Sequence, residues 1–131
     1  MRTLAAVLAL AAALSAQEID HTKDSLEAVK AALAKNEAVL VDVREKGEWD
    51  QGHLEGALFV PLSWIKAESK GDHFAERAAE KLPAKKVLYL HCRSGGRVIS
   101  AAGLLKKAGY DVRPLRQGFD DLREAGFPAA K

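Results

Sequence analysis

The sequence predicts a single α/β domain whose mostly parallel sheet is covered by helices on both faces. Three observations carry that expectation. Val39-Leu40-Val41-Asp42-Val43 and Val87-Leu88-Tyr89-Leu90 are short, nearly continuous apolar runs. Strands buried on both faces read this way, whereas half-exposed strands alternate. Between such runs lie stretches with apolar residues three and four apart, so strands and helices alternate along the chain. Asn36, Gly52, Pro61, Pro83 and Gly109 punctuate the changes from one element to the next. The 131 residues are enough for one domain with one core.

Met1 to Ala16 differs from the rest. Arg2 gives a positive start, Leu4 to Leu14 is a run of Ala, Leu and Val, and Ser15-Ala16 is small. Residues 1–16 are therefore expected to be a secretory signal peptide cut near Ala16–Gln17, with a folded domain over residues 17–131. The apolar run is too short for an ordinary membrane-spanning helix. A periplasmic or secreted location follows as an expectation.

After a short lead, with a possible edge strand around Ile19, Thr22 or Asp24 is expected to cap a first helix. Leu26, Val29 and Leu33 form its inner face and Asn36 ends it. Val39 to Val43 is the first buried strand. Arg44 to Gln51 reads as a short helical turn stopped by Gly52. Ala57 to Val60 is a short strand broken by Pro61. Trp64 to Gly71 reads as loop. Phe74 to Leu82 reads as an amphipathic helix with Phe74, Ala78 and Leu82 inward. Val87 to Leu90 is the central strand. A helix over Arg97 to Ala108 follows, with Gly109 as its stop. Val112 to Leu115 is a last strand, and Pro114, which lacks an N–H, places it at an edge or at the strand's end. Phe119 to Glu124 is a final short helix.

Charge excludes some functions. Twenty Lys and Arg against eighteen Asp and Glu leave a net charge of +2, with both signs interspersed. No basic stripe points to nucleic acid and none to a membrane surface. No His, Cys and acid cluster has metal-ligand spacing, and no glycine fingerprint for nucleotide phosphates is present, so neither metal nor cofactor is implied. A monomer is expected.

The chemistry concentrates at His91-Cys92-Arg93-Ser94-Gly95-Gly96-Arg97-Val98, where the central strand passes through a tight loop into a helix. Cys92 is the only cysteine, so no internal disulfide can form. A glycine-rich loop can aim several backbone N–H groups at one point, and the helix behind it adds its positive end. A thiol at that point is expected to be a nucleophile. An inert buried thiol would have no use for Gly95-Gly96 between two arginines. Asp42 and Arg44 also lie at the carboxyl end of a strand, where ligands bind in such sheets.

These residues resemble the rhodanese family. Leu40-Val41-Asp42-Val43-Arg44-Glu45, Glu48-Trp49, Gly52-His53-Leu54-Glu55-Gly56-Ala57 and Pro61 look like its N-terminal signature. Cys92 to Arg97 is similar to its active-site loop, and Gly118-Phe119 to its C-terminal signature. Gln117 stands where a second glycine is usual, and Leu122 where an aromatic residue is common. The similarity runs from about residue 22 to residue 127. It implies a five-stranded, mostly parallel sheet with helices on both faces. It also implies a sulfurtransferase that carries a sulfane sulfur as a persulfide on Cys92. The partners implied are a small sulfur donor such as thiosulfate and a thiol or cyanide acceptor, or a protein thiol. Cys92 is then the catalytic residue. Arg93, Ser94, Gly95, Gly96, Arg97 and Val98 are expected at the substrate, Arg97 either binding it or pairing with a carboxylate. Asp42 and Arg44 are expected to brace the loop from below. His53 and His91 are read as structural.

Two other functions compete. A cysteine phosphatase or arsenate reductase also follows its Cys with an arginine, but across five intervening residues, whereas four separate Cys92 from Arg97. A non-catalytic binding module of the same fold would usually lack the cysteine.

Overall fold

The computed structural model describes residues 18–131. The expected signal peptide and its cleavage point lie outside the described residues. Among these, four strands form one parallel sheet in the order β2-β1-β3-β4. In chain order the elements are α1 (Leu26–Ala34), β1 (Ala38–Asp42), α2 (Lys46–Asp50), β2 (Leu58–Phe59) and α3 (Leu62–Ser69). There follow α4 (Phe74–Ala79), β3 (Val87–His91), α5 (Arg97–Lys107), β4 (Val112–Pro114) and α6 (Phe119–Glu124).

The central pair is β1 with β3, in register from Ala38 opposite Val87 to Asp42 opposite His91. Successive side chains point to opposite faces, so one register sorts two cores. Val41, Val43, Leu88 and Leu90 face α3 and α5, where Ile65, Val98, Ala101 and Leu105 are fully buried. Leu40 and Tyr89 face α1 and α6, where they meet Val29 and Leu122. Burial on both faces explains why these strands read as unbroken apolar runs. No helix among the described residues is long and apolar enough to cross a membrane.

The same register brings the carboxyl ends of β1 and β3 side by side. Backbone bonds continue past the strand ends: Val43 donates to His91 at 3.1 Å, Leu115 to Leu90 at 2.8 Å, and Phe119 to Cys92 at 3.0 Å. The segments after β1, β3 and β4 are thereby held together at one edge of the molecule.

Three local expectations are corrected. The four strands leave the expected edge strand around Ile19 unformed. Among the described residues the lead makes one backbone bond beside β4, from Thr22 N–H to the Pro114 carbonyl at 2.8 Å, which is too little for a ladder. Neither Thr22 nor Asp24 caps α1; Ser25 does, its hydroxyl accepting from Ala28 N–H at 3.1 Å. Asp24 is engaged elsewhere, accepting from the Tyr89 hydroxyl at 2.6 Å and from Arg113 at 2.9 Å. The stretch read as loop, Trp64 to Gly71, lies mostly in α3. Leu62 and Ile65, three apart, bury the helix's inner face. Its open N-terminus is served by Glu45, whose carboxylate accepts from Ser63 N–H at 3.1 Å and from the Ser63 hydroxyl.

Candidate active site

Cys92 follows the last residue of β3, and Arg97 is the first residue of α5. The loop between them is tight because Gly95 takes φ +89°, a conformation that side chains rarely adopt. Gly95 is also confined: a Cβ there would lie 2.8 Å from the Arg116 carbonyl oxygen. This geometry turns the Gly95 N–H onto the Cys92 sulfur at 3.2 Å. The sulfur lies on the floor of the loop, with Cys92 only 1% exposed. Ser94 and Gly96 are exposed above it, while the Val98 side chain is fully buried in the core.

A second loop supports the first from behind. Besides the bond from Phe119 N–H to the Cys92 carbonyl, the Gly118 backbone presses on Arg93. A Cβ at Gly118 would fall 1.8 Å from the Arg93 carbonyl oxygen, so only glycine fits. Gly118 has φ −88° and ψ −174°, which any residue adopts; the close approach is what demands glycine.

Below the loop, Asp42 and Arg44 form a buried ion pair. The Arg44 guanidinium donates to both Asp42 oxygens at 2.8 to 3.1 Å, and its Nη2 also donates to the Gly52 carbonyl at 2.7 Å. The Phe119 ring lies against it, 4.4 Å from guanidinium carbon to ring centroid. His91 sits opposite Asp42 on β3, fully buried, its Nε2 3.8 Å from Asp42 Oδ2. Neither ring nitrogen has a hydrogen-bond partner among the described residues. Burial pushes the His91 imidazole below its ordinary value of 6.5, against the pull of the Asp42 carboxylate. His53 stacks on Trp49 at 3.6 Å, and its Nδ1 donates to the Trp49 carbonyl at 3.1 Å.

The arginines that flank the glycines have different surroundings. Arg97 donates twice to Glu48, at 2.6 and 2.8 Å. The Arg97 guanidinium holds the Glu48 carboxyl down to about 2, with help from the Glu45 N–H that Glu48 also accepts. Of the two roles expected for Arg97, the geometry shows the pairing with a carboxylate. Arg93 is exposed and in no ion pair among the described residues. It lines a pocket of about 150 Å³ together with Arg44, Glu48, Gln51, Gly52, Phe119 and Asp120. Nothing local in the sequence marks Glu48 as Arg97's partner, because the two lie 49 residues apart.

A family model described as the rhodanese-like domain matches residues 25–125. The chain belongs to the rhodanese-like family. Thiosulfate sulfurtransferase 16 of Arabidopsis thaliana is 33% identical over 91 residues, covering 67% of this chain and 76% of that protein. The probable adenylyltransferase/sulfurtransferase MoeZ of Mycobacterium tuberculosis is 38% identical over 79 residues, 60% of this chain. The rhodanese-like chain spans only 18% of the MoeZ length, and 42% of the putative sulfur carrier protein YrkF of Bacillus subtilis. The human single-domain sulfurtransferase TSTD1 superposes with a TM-score of 0.64 at 26% identity, covering 77% of this chain and 94% of that one.

Two predictions follow from the site's supports. Gly118→Ala should destabilise the rhodanese-like domain by about 3 kcal/mol or more, because the Arg93 carbonyl cannot yield without moving the loop. Gly47→Ala, in α2 with nothing within 4 Å of the new methyl, should be neutral or slightly stabilising. Urea unfolding compares them, and a Gly118→Ala protein as stable as the parent contradicts the close contact.

His91 makes stability depend on pH. Its folded value is depressed, so between that value and 6.5 the unfolded chain binds more protons. Stability from this residue is therefore complete above 6.5 and drains away as pH falls through the folded value. His91→Phe should flatten the stability profile below pH 6.5 relative to the parent. Parallel profiles for the two proteins would show that His91 stays unprotonated without cost to folding.

Proposed function

We propose that this rhodanese-like domain moves a sulfane sulfur from a small anionic donor such as thiosulfate to a thiophilic acceptor. The observation that carries this reading is the Gly95 N–H directed at the Cys92 sulfur from a loop whose other end opens a helix. Amide donors fixed around a sulfur favour a negative charge there without needing a proton. The Cys92 thiolate attacks the outer sulfur of thiosulfate. The S–S bond of the donor breaks, its electron pair leaves on sulfite, and the outer sulfur remains on Cys92 as a persulfide anion. An acceptor thiolate or cyanide then takes that sulfur and returns the Cys92 thiolate. Arg93, exposed in the pocket lining and in no ion pair among the described residues, is suited to draw in the dianion.

The phosphatase reading is weaker for a physical reason. A phosphoryl group needs several donors for its equatorial oxygens, commonly with an arginine fork among them. Here the arginine that closes the loop spends both of its outer nitrogens on Glu48.

Intact-mass measurement tests the proposal. Thiosulfate should add one sulfur atom to the protein, and cyanide should remove it as thiocyanate. Cys92→Ser should abolish both steps, and Arg93→Ala should raise the KM for thiosulfate about tenfold, the scale of one charge-assisted contact. Turnover of p-nitrophenyl phosphate should be negligible. A parent protein that gains no sulfur from thiosulfate, mercaptopyruvate or a persulfide donor sinks the proposal.

For residues 1–16 we propose an export signal, supported by the charged start, the apolar run and the small residues before Gln17. N-terminal sequencing of protein from cell fractions should find a start near Gln17 outside the cytoplasm. Intact Met1 on cytoplasmic protein would overturn it.

A further inference from the structure

The N-terminal lead reaches the active-site loop through one side chain. His21 Nε2 lies 2.6 Å from the Gly95 carbonyl oxygen. That oxygen can only accept, so Nε2 carries the proton and donates. The lead is fixed on both sides of His21. Ile19 packs against the core, near Gly103 of α5, and Thr22 N–H is bonded to the Pro114 carbonyl at 2.8 Å. His21 is therefore presented to the loop from an anchored segment.

The peptide it holds is the one most easily turned over. A peptide unit flips by changing ψ of the residue before it and φ of the residue after it. For the unit between Gly95 and Gly96, both are glycines, and no Cβ opposes the rotation. In a trans peptide the N–H points opposite to the carbonyl. With the Gly95 carbonyl held on His21, the Gly96 N–H is turned away from the lead. A flip would exchange the two and present a carbonyl oxygen where an N–H had been. The Gly95 N–H that reaches the Cys92 sulfur belongs to the neighbouring peptide unit, so a flip at Gly95–Gly96 would disturb the backbone that aims it.

We propose, on the sulfur-transfer reading above, that His21 is a positioning residue that latches the Gly95–Gly96 peptide and so holds Gly95 in the conformation that directs its N–H at the Cys92 sulfur. The loop needs glycine at 95 because of its positive φ and the nearby Arg116 carbonyl. The freedom this leaves is what the latch removes. The hydrogen bond of His21 is to the Gly95 carbonyl, and it acts through that carbonyl.

The test compares His21→Ala and His21→Gln in the full chain. Gln offers a side-chain N–H at similar reach, whereas Ala offers none. Two rates are read: alkylation of Cys92 by iodoacetamide at fixed pH, and single-turnover loading with sulfur from thiosulfate by intact mass. His21→Ala should slow both about tenfold, the scale of one net hydrogen bond. His21→Gln should return both to within about twofold of the parent. A structural role in the lead alone would not give rescue by Gln. Alkylation of His21→Ala at the parental rate, or His21→Gln as slow as His21→Ala, overturns the latch. A parent that alkylates but never takes up sulfur overturns the sulfur-transfer reading instead, and the alkylation rates still decide the latch.

Discussion

Arg44 is the point at which the separate pieces of the site meet. Its guanidinium is buried against the carboxylate of Asp42 at the end of β1, the Gly52 carbonyl after α2, and the Phe119 ring at the start of α6. A buried charge of this kind is costly unless every donor is met, and removing one partner strands the other. The segments that carry these partners are consequently fixed relative to one another. Phe119 N–H in turn holds the Cys92 carbonyl, so the floor of the Cys92 loop is tied to the same pair. The β1–β3 register supplies the starting condition, because it sets Asp42 directly beside His91.

What the sequence made legible follows the physics of each signal. β1 and β3 were readable because burial on both faces leaves apolar runs in the sequence itself. α5 was readable because its buried residues, Val98, Ala101, Ala102 and Leu105, repeat at helical spacing and Gly109 stops it at φ +100°. α3 was not readable, since its first residue follows a proline and its N-terminus is served by Glu45, 18 residues earlier. Ser25 was missed as a cap because Thr22 and Asp24 are equally suitable by type. Only the positions of Tyr89 and Arg113 show that Asp24 is occupied elsewhere.

The same distinction runs through the site. Cys92 and its glycines announce themselves because tight loops need special residues at fixed positions. Gly118 announces less, since its requirement comes from the Arg93 carbonyl 25 residues before it rather than from its own dihedral angles. Glu48 and His21 carry no local sign at all. Their importance lies in what they touch, Arg97 and Gly95, and those contacts exist only once the parallel sheet has brought distant segments to one edge.

The loop and its supports carry three arginines, yet the site is not strongly cationic. Arg44 is neutralised by Asp42 and Arg97 by Glu48, leaving Arg93 as the arginine of the pocket lining in no ion pair among the described residues, with Glu48 and Asp120 also in the lining. On the sulfur-transfer reading, charge stabilisation at the sulfur comes mainly from the loop backbone and the start of α5, which cannot swing away as a long side chain can. On that reading, such a cradle suits the single outer sulfur of a persulfide rather than a phosphoryl group. It also leaves the orientation of each peptide unit as the variable that decides whether the cradle attracts or repels. A loop built on consecutive glycines gains its tight curvature and its vulnerability from the same absence of Cβ atoms. The contacts on Gly95 from His21 on one side and the Arg116 backbone on the other are where that vulnerability is met.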